Sequence, residues 1–91
     1  ALLFLFMNNL NNKIDKTRLY NSFEIKLDDI AISLLSTNTN QKENILLTIQ
    51  NYIEKIFIKT AMEISNNNIS KASKLLGINR NTLSKKLKNI S

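Results

Sequence analysis

NNNISKASKLLGINRNTLSKKLKNIS, residues 66–91, decides the fold of this chain. The run Ser65 to Asn68 breaks the preceding helical period and supplies capping side chains, with Asn68 placed to cap a short helix over about 69–76. That helix would bury Ile69, Ala72, Leu75 and Leu76. Gly77, the only glycine of the chain, follows at once and tolerates the left-handed conformation that ends a helix. Ile78 turns back to the core, and Asn79 can cap a last helix over about 80–90 with Leu83, Leu87 and Ile90 on its buried stripe. Two turns of helix, a glycine turn and a second helix form a helix-turn-helix. Its close crossing needs small side chains, which Ala72 and Ser73 provide.

An αα-hairpin with no nucleic-acid partner has the same topology, so charge has to discriminate. Residues 1–64 hold seven Lys/Arg and seven Asp/Glu, which cancel. Beyond Glu63 there is no acid, while Lys71, Lys74, Arg80, Lys85, Lys86 and Lys88 follow. The whole net charge of +6 therefore sits on the segment of two short helices. On a helical wheel the solvent arc of the last helix centres on Lys85, flanked by Asn81 and Lys88, with Arg80 and Lys86 at its margins. A basic arc on a neutral body points to a polyanion rather than to an ordinary lysine-rich surface.

Upstream the pattern predicts two longer helices. Ile45, Leu46, Ile49, Tyr52, Ile53, Ile56, Phe57, Ala61 and Ile64 recur every three or four residues, which predicts a helix over about 41–65. Isoleucine also favours strands, but so long a run without Gly or Pro favours helix. Asn40 and Glu43 offer a capping box at its start. The stripe is wider than one short helix requires and invites a second subunit. Phe23, Leu27, Ile30, Ala31, Leu34 and Leu35 predict another helix over about 22–36, with Ser22 as cap. Residues 36–40 read as a loop of competing side-chain hydrogen bonders, and residues 8–21 as a flexible arm. The apolar ALLFLF at 1–6 is too short to cross a bilayer, and Met7 reads as the natural start. The expected fold is all-α: an N-terminal arm over 1–21, a helical dimerisation core over 22–65 and a helix-turn-helix over 66–91.

Composition narrows the function classes. About 43% of residues are apolar, a thin core for 91 residues, so association with a second copy would add stability. No cysteine means no disulfide and no thiolate metal site, and no histidine removes the commonest general base and metal ligand. The seven carboxylates are scattered. Neither an enzyme nor a cofactor nor a metal is expected. Asn, Ile and Lys make up about two fifths of the chain, so Asn-Asn pairs read as compositional drift unless their position argues otherwise.

The segment Asn68–Lys88, and above all Leu-Gly-Ile-Asn-Arg-Asn-Thr-Leu with the following Lys-Lys-Leu (76–87), resembles the C-terminal domain of the Fis family, the factor for inversion stimulation. The same domain ends the NtrC-type activators. The likeness is strong over 66–89, rests on helical pattern alone back to about Asn21, and fails before it. It implies an intertwined homodimer that presents its two last helices to consecutive major grooves of double-stranded DNA. Those helices lie closer together than one DNA turn, so the duplex bends. It further implies that Asn79 and Arg80 reach base edges. Thr82, Lys85 and Lys86 would hold phosphates from the last helix, and Asn68, Ser70 and Lys71 would touch the backbone from the helix before it. The implied protein is a sequence-tolerant transcriptional regulator of the bacterial cytoplasm and nucleoid.

Two departures from that family stand out. Ser84 replaces an arginine that is usual there, which weakens one backbone or flanking contact. Residues 8–21 do not match the β-hairpin with which Fis stimulates DNA invertases, so invertase stimulation does not transfer. Two other readings compete: the detached DNA-binding end of an NtrC-type activator, and a helical module for protein or membrane association. One glycine cannot build the phosphate-binding loop of an activator's ATPase, and the third reading calls for binding that salt does not weaken.

Overall fold

The computed structural model describes residues 15–39 and 41–90, and all that follows concerns those residues. They form four α-helices and no strand: α1 (Lys16–Thr37), α2 (Ile45–Ile64), α3 (Ile69–Leu76) and α4 (Arg80–Ile90). The fold is all-α with a C-terminal helix-turn-helix. No helix among the described residues is long and apolar enough to cross a membrane. Residues 1–6, most of the expected arm and the capping residue Asn40 lie outside the described part.

By contacts the chain divides into two units, Ala1–Leu47 and Thr48–Ser91. In the first, α1 starts six residues before the expected Ser22. Asp15 is the cap, its carboxylate accepting from the Thr17 N–H at 2.9 Å. The apolar face explains the longer helix, because Leu19 lies four residues before Phe23 and extends the same stripe by a turn. Residues 16–21 are therefore helical rather than part of an arm. At its other end the Thr37 hydroxyl donates back to the carbonyls of Ser33 and Leu34. No residue of α1 is buried, and Leu19, Phe23, Ile30 and Leu35 all stand exposed.

Helix α2 starts four residues later than the pattern suggested. Gln41 has φ 53°, a left-handed conformation that no helical residue adopts, and the Asn44 side chain accepts from the Leu47 N–H at 3.1 Å. Asn44 thus caps α2, while Glu43 stays outside it and its carbonyl accepts from the Asn38 amide.

In the second unit the core gathers Ile58 and Ala61 of α2, Ala72 of α3 and Leu83 of α4, ringed by Met62, Ile69, Leu76, Ile78, Leu87 and Ile90. Ala72 and Leu83 have no exposed surface. The alanine lets the backbones of α3 and α4 approach, and the leucine fills the space between them. Two expected core positions change. Ile58 is buried although it lies off the apolar stripe read from sequence, and Leu75, expected inside, is 58% exposed. At about 100° per residue, Ile58, Ala61, Met62 and Ser65 share one side of α2, while Ile45, Ile49, Tyr52, Ile53 and Ile56 share the opposite side. What reads as one wide stripe is two opposed faces. The first closes the core of the helix-turn-helix; on the second, Tyr52 and Ile56 are exposed.

Candidate nucleic-acid interface

Two helix ends and two helix starts set the geometry of the site. Helix α2 ends in a pair of backbone bonds, Asn66 N–H to Glu63 carbonyl at 3.1 Å and Asn67 N–H to Met62 carbonyl at 2.8 Å. Both asparagines have positive φ, 55° and 64°. Asparagine tolerates this conformation better than any residue except glycine. These two residues are therefore placed by backbone geometry, at the interruption of the helical period that the sequence shows over residues 65–68. The buried Ser65 hydroxyl donates to the Met62 carbonyl and leaves no unsatisfied group under the turn.

Asn68 then opens α3, its side chain accepting from the Lys71 N–H at 3.0 Å. Nine residues on, Gly77 closes it at φ 73°, where the Gly77 and Ile78 N–H groups return to the carbonyls of Lys74 and Ser73. Ser73, buried against the core, donates its hydroxyl to the Ser70 carbonyl at 2.8 Å. Asn79 caps α4, its side chain accepting from the Asn81 N–H at 2.7 Å. Asn68, Gly77 and Asn79 all act where the sequence puts them.

These caps fix which side chains face outward. Leu83 anchors α4, with Leu87 and Ile90 half-buried on the same side. Asn79, Arg80, Asn81, Thr82, Lys85 and Lys88 are exposed, and Ser84 is half-buried. From α3, Asn68 and Lys71 are exposed and Ser70 is half-buried at the first turn. No acid occupies the first turn of α3 or of α4. Both helix N-termini therefore present N–H groups and positive dipole ends uncompensated by a carboxylate, an arrangement suited to phosphate oxygens.

Lys86 is placed differently from Lys85. Its Nζ donates to Oε1 of Glu54 on α2, making an ion pair between two half-exposed side chains. The C-terminal segment is acid-free in sequence, but it is not acid-free in space. Nothing local in the sequence signals this, because the partners stand 32 residues apart.

Residues 52–89 match the family model described as "Bacterial regulatory protein, Fis family". The matched stretch begins within α2 and ends one residue before the last of α4, so it covers the unit built around Ile58, Ala72 and Leu83. No curated protein and no solved structure gives a significant match to the chain.

Proposed function

We propose, from a Fis-family helix-turn-helix in residues 52–89, that this protein is a DNA-bending, sequence-tolerant transcriptional regulator that works as a homodimer. The carrying observation is that the matched segment presents α4 with its basic side outward and its apolar side in the core. In this reading Asn79 and Arg80 meet base edges at the start of α4, where an arginine can hold the O6 and N7 of a guanine. Thr82 and Lys85 hold phosphates, and Lys86 joins them once it leaves Glu54. Asn68, Ser70 and Lys71 bind backbone at the start of α3, positioning the protein without specifying sequence. A second copy covers α1 and the free face of α2, and the two copies of α4 enter consecutive major grooves, bending the duplex. A bacterial cytoplasmic, nucleoid-associated protein fits this role.

Titrating a labelled duplex across a range of salt concentrations tests the proposal. With roughly eight phosphate contacts per dimer, log affinity should fall against log salt with a slope of about −7. A slope near zero would instead favour a helical protein-association module. End-to-end fluorescence transfer on the same duplex reads the bend, which should appear only with protein bound.

A further inference from the structure

Glu54 pairs with Lys86 of the basic helix, and its position on α2 is fixed by the core. It lies about 40° around α2 from Ile58 and about 20° from Ala61, on the side that packs against α3 and α4. The Lys86 ammonium reaches it from α4. Around them a shallow cleft is lined by Asn51, Lys55, Asn89 and Ile90, with no second acid. Lys86 stands at the margin of the outward arc of α4, about 100° from Lys85, so its flexible four-carbon stem can serve either the cleft or the DNA side.

The geometry points to Glu54 as an affinity-setting residue: it holds Lys86 in the free protein, and a DNA phosphate displaces it. This rests on the DNA-binding reading and adds a competitor built into the protein. Both side chains of the pair are substantially exposed, so the pair is weak and exchange is cheap. A phosphate oxygen offers the ammonium an equivalent anionic acceptor, and the duplex supplies several around it. The carboxylate left behind then faces the polyanion and opposes binding. Glu54 therefore lowers affinity for every sequence alike, because no base is read through it.

Glu54→Gln keeps the shape of the side chain and removes its charge. Binding of this variant and the wild type to a fluorescein-labelled duplex of mixed sequence should differ by about three-fold per subunit in favour of the variant, the size of an exposed ion pair. Lys86→Gln should cost about three-fold more in the Glu54→Gln background than in the wild-type background, where the lysine must first leave its partner. Circular dichroism melts establish that each variant is folded under the binding conditions. Weaker or unchanged binding by folded Glu54→Gln would overturn the proposal, making the pair a structural tie that positions α4. So would a Lys86→Gln cost that is the same in both backgrounds. Absence of duplex binding by the wild-type chain would instead overturn the DNA-binding reading on which the proposal stands.

Discussion

Arg80 and Lys85 stand five positions apart on the same short helix, yet the two should answer differently to substitution. Arg80 is the first residue of α4, next to its cap, where a planar guanidinium can meet a base edge in the major groove. Arg80→Ala is expected to cost about 1–3 kcal/mol of binding and to relax preference at one base pair of each half-site. Lys85 lies on the middle of the outward arc and is a point charge for a phosphate. Lys85→Ala should weaken all sequences by the same factor, which a binding-site selection run on both variants will read. Unchanged preference in Arg80→Ala would make it a phosphate contact only. Gly77 answers through stability instead. A Cβ there would meet nothing within 4 Å, so the cost of Gly77→Ala comes from φ 73° alone. It should be about 1–2 kcal/mol in urea unfolding, with Gly77→Asn milder.

Among the elements, α3 and α4 were legible to the residue because their limits are set by local chemistry. Asn68, Gly77 and Asn79 each satisfy backbone groups within five residues of themselves. The starts of α1 and α2 were not, because a chain rich in Asn, Asp, Ser and Thr offers many capping side chains, and tertiary context selects among them. Asp15 and Asn44 do the capping rather than the expected Ser22 and Asn40. Facing was also only partly legible. A two-faced helix has no single stripe, so Ile58 went unread, while Leu75 followed the spacing of a core residue without becoming one. Burial makes the difference measurable. Leu83→Ala should destabilise by about 2–5 kcal/mol, whereas Leu75→Ala should stay within about 0.5 kcal/mol. A large loss at Leu75 would mean that another surface covers it in solution.

For the whole molecule the apolar surface that no described residue covers becomes the issue. Phe23, Ile30 and Leu35 on α1 and Tyr52 and Ile56 on α2 are exposed. Patches of this kind on a chain of 91 residues mark association surfaces. If a second copy covers them, the thermal midpoint should rise with protein concentration. Sedimentation should then give twice the chain mass of 10.4 kDa. Ile56→Asp should abolish that concentration dependence, since the side chain lies opposite the core face bearing Ile58. A midpoint independent of concentration would remove the second copy from the proposal. At this scale the sequence conveyed an excess of apolar positions without conveying where on the helices they fall.

The opposed faces of α2 also bear on inheritance. If pairing uses one side of that rod and the DNA-reading head is built on the other, lesions of the two become genetically separable. An allele such as Arg80→Ala would still recruit normal subunits into crippled pairs and poison them when co-expressed. An allele such as Ile56→Asp would stay silent beside the normal gene.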